Sequence, residues 1–111
     1  MHKNISDFVN LGKYRAANKN LNFNPEVVFI GDSITEDWFT LFPDFFSKNH
    51  FLNRGISGQI TSQILLRFHQ DVISVKPKYV FILAGINDIA ENLGKMEMCE
   101  SLANIMMMCD L

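Results

Sequence analysis

Three short apolar runs, each ending at a glycine, constrain the fold of this 111-residue chain more than any other feature. The first and third runs are continuous rather than alternating, which is typical of strands covered on both faces of a parallel sheet. The runs start about 25 residues apart, close to the ~30 residues of a β-α-β unit. The sequence therefore predicts an α/β fold with a parallel sheet and right-handed crossovers. The runs are Val27–Ile30, Phe51–Arg54 and Tyr79–Ala84, ending at Gly31, Gly55 and Gly85.

Helical patterns occupy the segments around these runs. Apolar residues recur every three or four positions over residues 10–21 and every four positions over residues 60–72. Residues 36–46 are rich in aromatic side chains, and we expect Pro43 to interrupt a helix there. The order of elements is therefore one helix followed by three strand-helix pairs.

The last helix, over residues 95–111, has apolar residues on a wide arc, and this pattern predicts a largely buried helix. Cys99 and Cys109 lie about 15 Å apart along it at 1.5 Å per residue, which is too far for a mutual disulfide. We expect both thiols to be reduced and buried.

The length is near that of a single domain. We divide the chain into an N-terminal helical segment, residues 1–25, and the first part of an α/β domain, residues 26–111. The chain stops in the helix after the third strand, without the strand that this helix should lead to. We therefore expect a domain cut after its third strand and the following helix.

Charge and hydropathy exclude several partners. The net charge is −2, with 10 basic and 12 acidic residues and no basic cluster, which argues against nucleic acid or an anionic membrane as a partner. No apolar run approaches the roughly 20 residues that cross a bilayer. No apolar region of a signal peptide follows the N-terminus, so we expect a cytoplasmic protein.

Candidate chemistry lies in the polar turns at the ends of the strands, because open parallel sheets bind ligands beyond their carboxyl ends. Ser33, at the start of a helix, is a candidate nucleophile. The backbone N–H groups of Ser33 and Gly58 and the amide of Asn87 could together form an oxyanion hole. The alternative is structural: Ser33 and Thr35 cap a helix, Asn87 turns the chain, and the glycines serve backbone geometry.

These turns resemble the sequence blocks of the SGNH, or GDSL, hydrolases. Residues 28–35 (VFIGDSIT) resemble the first block, residues 53–61 (NRGISGQIT) the second and residues 83–88 (LAGIND) the third. The residues of these blocks are most similar to those of the acylhydrolase branch that includes platelet-activating-factor acetylhydrolase-like and bacterial carbohydrate esterases. The G-x-S-x-G motif of other serine hydrolases is missing, in keeping with this resemblance.

The resemblance implies a flavodoxin-like three-layer α/β/α sandwich with a parallel sheet. It implies that Ser33 is the nucleophile and that Ser33, Gly58 and Asn87 supply the oxyanion donors. Asp32 would hold the first turn. No cofactor is implied.

The chain departs from the family pattern because it has no D-x-x-H pair, which supplies the general base. His2 lies near the N-terminus, His50 precedes the second strand, and His69 lies in a helix, so none is expected to serve as this base. Without a base, the serine hydroxyl is a poor nucleophile.

Arg54 and Asp88, together with Asp32, are candidate supporting groups near these turns. Arg54 would contact substrate or pair with Asp32 or Asp88. The two carboxylates lack a histidine or third acid that would make a metal site, so we expect none.

We therefore expect a serine ester hydrolase that removes a small acyl group from a sugar, lipid or similar alcohol through an acyl-serine intermediate. The alternative is an inactive fragment or a ligand-binding remnant that keeps the oxyanion cradle. A nucleotide-binding module would require a glycine-rich phosphate loop after the first strand, which Gly31–Glu36 does not provide.

Overall fold

The computed structural model describes residues 7–111, in which three parallel strands form one open sheet. The strand β1 (Val27–Gly31) lies between β2 (Phe51–Gly55) and β3 (Tyr79–Leu83). The last pairs in the register join Gly31 to Gly55 and to Leu83, so the strands end level with one another. The predicted α/β class, strands and parallel pairing are confirmed. The polar loops after the strands leave the same edge of the sheet.

Helices flank this sheet. Pro43 begins its own helix, α3, so the predicted interruption of the aromatic-rich segment is confirmed. No helix within residues 7–111 is long and apolar enough to cross a membrane. The helices are α1 (Gly12–Lys19), α2 (Ser33–Leu41), α3 (Pro43–Asn49), α4 (Thr61–Asp71), α5 (Ile86–Ile89) and α6 (Met98–Asp110), with a 3-10 turn at Ile73–Val75.

The central strand β1 is buried on both faces. Val28 and Ile30 are fully buried in an apolar cluster with α4 and Met108 of α6. Phe29 points to the other face, where its ring packs against Trp38 of α2 and Phe46 of α3 at centroid distances of 5.1 and 5.4 Å. Alternate residues of one strand thus face two helical layers, as a three-layer sandwich requires.

The expectation that β3 and the last helix are covered is wrong for the described residues. Tyr79 of β3 is 66% exposed and Met98 of α6 is 78% exposed, while Met108 is the one hydrophobic residue of α6 in the buried core. Cys99 and Cys109 are free and exposed, which corrects the prediction of buried thiols. Hydrophobic periodicity predicts which face of an element is apolar, but it does not show that another element covers that face.

Candidate active site

The first loop places a serine at the start of a helix. Asp32 is the N-cap of α2, where its Oδ1 accepts a hydrogen bond from the Ile34 N–H at 3.1 Å. Asp32 is buried, and its Oδ2 has no hydrogen-bond partner among residues 7–111. Ser33 follows as the half-buried first residue of α2. The expected role of Asp32 in holding the first turn agrees with this cap.

Two glycines let the loops approach closely. A Cβ added to Gly31 would lie 2.3 Å from the Leu83 carbonyl oxygen and 2.5 Å from Thr35 Oγ1. A Cβ on Gly55 would lie 2.3 Å from the Glu36 backbone nitrogen. These positions therefore accept no side chain without movement of the backbone. The sequence pattern of a glycine after each run thus has a packing cause at β1 and β2.

Gly58 has a different requirement. Its φ of +79° lies in the left-handed region, and an added Cβ would meet nothing within 4 Å. The residue is exposed, so the backbone here is open to an approaching molecule. Gly58 is needed for its conformation rather than for packing.

Asn87 links the third loop to the second. Its Nδ2 donates to the Gln59 carbonyl oxygen at 3.0 Å, and its Oδ1 accepts from Asn92 Nδ2 at 2.9 Å. Asn92 Nδ2 also lies 3.4 Å from the Gly58 carbonyl oxygen. These contacts fix the orientation of the Asn87 amide. Because a primary amide has two N–H donors, one remains for a ligand.

Asp88 joins the third loop to α4 rather than to the open side of the site. Its carboxylate accepts from the backbone N–H and the hydroxyl of Thr61 and from Ser101 Oγ, with the N–H contact at 2.7 Å. A carboxylate at the first turn of α4 also interacts favourably with the helix dipole. Asp88 is buried and fully used as a structural acceptor.

Arg54 does not contact Asp32 or Asp88, so the second of the two alternatives for Arg54, pairing with one of these carboxylates, is wrong. Its Nε donates to Asn18 Oδ1 of α1 at 2.9 Å, and its Nη1 donates to the Asn53 carbonyl oxygen at 2.9 Å. The guanidinium also stacks over the Tyr14 ring, 4.7 Å from its centroid. The aromatic ring of α1 therefore draws Arg54 away from the site.

A buried ion pair on α4 was not singled out from the sequence. Arg67 Nη1 lies 3.1 Å from Asp71 Oδ2, and both side chains are fully buried. Burial lowers the pKa of the Arg67 guanidinium, while the Asp71 carboxylate opposes this shift. The available signal was an arginine and an aspartate four residues apart, each one position before a residue of the apolar stripe.

The segment before β1 is bound to the rest of the site by polar contacts. Tyr14 donates its hydroxyl to the Gly55 carbonyl oxygen at 2.6 Å. Glu36 of α2 accepts from the Ser57 N–H at 2.9 Å and pairs with Lys13 of α1. The helix α1 thus contacts both the second strand end and the helix that begins with Ser33.

Stability should fall at high pH because of Tyr14. Burial, and then the nearby Glu36 charge, raise the pKa of Tyr14 from 10.0 to about 12. Since the folded state favours the neutral phenol, its contribution is present below pH 10 and is lost as pH rises through about 12. Tyr14→Phe should flatten the decline in the free energy of unfolding over this range, measured by urea titration. Tyr79→Phe, at an exposed tyrosine, is the control, and equal slopes in wild type and Tyr14→Phe would contradict this assignment.

The described histidines lie away from the loops. His50 caps the end of α3 before β2, where its ring stacks on Phe23 with centroids 4.9 Å apart. His69 is exposed in the last turn of α4, which begins at the loop edge and runs away from it. His2 lies outside the described residues. Within residues 7–111 no group of three potential metal ligands comes together.

The sheet order, its helices and the polar loops at its carboxyl edge place the protein in the class of open-sheet α/β proteins with a site beyond the strand ends. Residues 29–109 match the family described as GDSL-like Lipase/Acylhydrolase, and the chain belongs to this family. The resemblance of the three loop sequences is thereby confirmed.

Solved structures and curated proteins agree with this assignment. A putative acylhydrolase from Bacteroides fragilis is 41% identical with a TM-score of 0.89, covering 98% of this chain and 53% of that one. A GDSL-like lipase from Bacteroides thetaiotaomicron is 44% identical with a TM-score of 0.88, covering 93% and 52%. Human platelet-activating factor acetylhydrolase IB subunit alpha2 is 33% identical over 67 residues, which is 58% of this chain and 29% of that protein. The chain spans about half the length of these solved structures and less than a third of that curated relative.

Proposed function

We propose that this protein is a serine esterase that transfers a small acyl group from an ester to Ser33 and then to water. The observation that carries the proposal is the linkage of the three loops. Asn87 of the third donates to the Gln59 carbonyl oxygen, next to Gly58 of the second, and the Ile56 N–H of the second donates to the Gly31 carbonyl oxygen at 3.0 Å, two positions before Ser33. Family membership supports acylhydrolase chemistry. The substrate class is an ester of a small acid with a sugar, lipid or similar alcohol.

The reaction would proceed in two displacements. Ser33 Oγ attacks the ester carbonyl carbon, its proton passes to a base, and the C–O bond to the alcohol breaks to leave an acyl-serine. Water then attacks the acyl carbon, and the Ser33 hydroxyl regains a proton as the acid departs. The negative oxygen of each tetrahedral intermediate would rest on the N–H groups of Ser33 and Gly58 and the free amide proton of Asn87.

The base is the part of this chemistry that residues 7–111 do not supply. His50 and His69 lie away from the loops, and Asp88 is occupied by three donors. A serine hydroxyl at its ordinary pKa reacts slowly without such a base. Added imidazole can stand in for it, so a test on this chain includes imidazole in the buffer.

The test is capture of the acyl-serine. We expect p-nitrophenyl acetate with imidazole to acetylate Ser33, detected by mass spectrometry of proteolytic peptides. Ser33→Ala should lose this adduct. Ser74→Ala, at an exposed serine in the 3-10 turn before β3, should keep it. Acetyl groups found on surface lysines alone, or at equal yield in Ser33→Ala, would overturn the proposal. Binding of the ester to the protein without any covalent adduct would indicate the ligand-binding alternative.

A further inference from the structure

Arg67 touches groups from the first two loops as well as its partner Asp71. Its Nη2 donates to the Gly31 carbonyl oxygen at 3.1 Å, and its Nε donates to Gln59 Oε1 at 2.6 Å. Gly31 is the last residue of β1, two positions before Ser33. Gln59 follows Gly58 directly. One guanidinium therefore joins the segments that carry two of the proposed oxyanion donors.

The third donor is reached through Gln59. Its carbonyl oxygen accepts the Asn87 amide, while its side chain accepts from Arg67 and donates to the Val9 carbonyl oxygen at 2.7 Å. Gln59 is buried, so the position of its backbone is set by these contacts. A shift of the Gln59 side chain would move the carbonyl that orients Asn87.

The electrostatics of this group favour a positioning role over a stabilising one. A buried ion pair contributes little net stability compared with well-packed apolar residues, because both charges lose their hydration. Both oxygens of the Asp71 carboxylate nevertheless have hydrogen-bond partners. Oδ2 accepts from Arg67, and Oδ1 accepts from Asn18 and Gln70 at 2.8 and 2.9 Å. The planar fork of an arginine can hold three acceptors in fixed directions, which a lysine ammonium cannot reproduce.

We propose that Arg67 is a positioning residue that holds the Gly31 carbonyl and the Gln59 side chain so that Ser33, Gly58 and Asn87 face one oxyanion. This inference rests on the proposed esterase function. Arg67 itself is fully buried and would not contact the substrate. Its effect would be to fix the distance between the loops.

The kinetic test uses Arg67→Lys and Gln59→Leu. We expect each to slow acetylation of Ser33 by p-nitrophenyl acetate and imidazole about 10- to 100-fold, since small misplacements of reacting groups have effects of this size. The ester concentration at half-maximal rate should change little. Asn104→Ala is the control, because this half-buried amide donates to the Thr61 and Ser62 hydroxyls on α4 and to neither Arg67 nor Gln59.

A second readout does not depend on activity. In ¹H–¹⁵N spectra, the backbone amides of Ser33 and Gly58 and the side-chain amide of Asn87 should shift in Arg67→Lys and Gln59→Leu, but not in the control Asn104→Ala. If Arg67→Lys does not fold, Gln59→Leu decides. Unchanged loop resonances and rates in the folded variants, or equal changes in the control, would overturn the positioning role.

The two proposals fail in different ways. If acetylation is independent of Ser33, the esterase function is wrong, and the spectra alone still decide whether Arg67 positions the loops. If Ser33 is acetylated but the folded Arg67 and Gln59 variants behave as wild type, the positioning role alone is wrong.

Discussion

Asn87→Ala should lower the rate of Ser33 acetylation about 100- to 1,000-fold, the effect of removing one oxyanion donor, or about 2.7–4 kcal/mol. The reason is that the Asn87 amide has one proton committed to the Gln59 carbonyl oxygen and one free. The free donor would gain strength only as negative charge develops on the ester oxygen, so the maximal rate should fall more than apparent ester binding. The measurement is the time course of the acetylated Ser33 peptide in saturating p-nitrophenyl acetate with imidazole.

The matched control for this change is Asn104→Ala. Asn104 is also a half-buried asparagine, but its amide donates to hydroxyls of Thr61 and Ser62 on α4 rather than to the loops. Its acetylation rate should stay close to that of wild type, because its amide does not face the position of the oxyanion. A rate in Asn87→Ala above half that of wild type would show that this amide does not bind the oxyanion.

Gly55→Ala should be strongly destabilising. The new methyl group would lie 2.3 Å from the Glu36 nitrogen and 2.8 Å from its Cα, and backbone atoms cannot rotate away as a side chain can. We expect a loss of about 3 kcal/mol or more, at the upper end of the range for overpacking. For a domain of this size, that lowers the melting temperature by about 12 °C or more, as thermal unfolding followed by circular dichroism would show.

Gly12→Ala provides the comparison for Gly55→Ala. Gly12 begins α1, is exposed, and an added Cβ would have the flexible Asp7 carboxylate as its neighbour, at 3.1 Å. Alanine also favours helix over glycine by up to about 1 kcal/mol. A melting temperature for Gly55→Ala as high as that for Gly12→Ala would show that β2 and α2 can separate to admit the methyl group.

Much of the fold and the composition of the loops followed from local sequence. Val27–Gly31 could be assigned because a continuous apolar run ending at glycine has few other interpretations in an α/β pattern. Because parallel strands share a carboxyl edge, the proximity of the second and third loops followed as well, and the contact between Asn87 and Gln59 agrees with it. The start of α3 followed from the missing N–H of Pro43.

The remaining features depend on contacts between distant segments. Arg54 is directed by Tyr14, which lies forty positions earlier on the helix α1, and nothing near Arg54 in sequence indicates this direction. Arg67 is adjacent to an apolar stripe, but two of its three acceptors come from β1 and the second loop. The exposure of Tyr79 has the same origin, since a strand's own residues do not show whether a neighbour covers them.

The amides of three glutamines bind the backbone of the segment before α1, and this has a practical consequence. Gln59, Gln63 and Gln70 donate to the carbonyl oxygens of Val9, Phe8 and Leu11. Trimming the chain at residue 25 would remove these acceptors and leave the buried amide donors of Gln59 and Gln63 unmatched, while the Gln70 amide would keep its contact with Asp71 Oδ1. Gln59 would then lose one of the two contacts that orient its side chain. Removal of the N-terminal segment would thus disturb the contacts that hold the loops of the site in place.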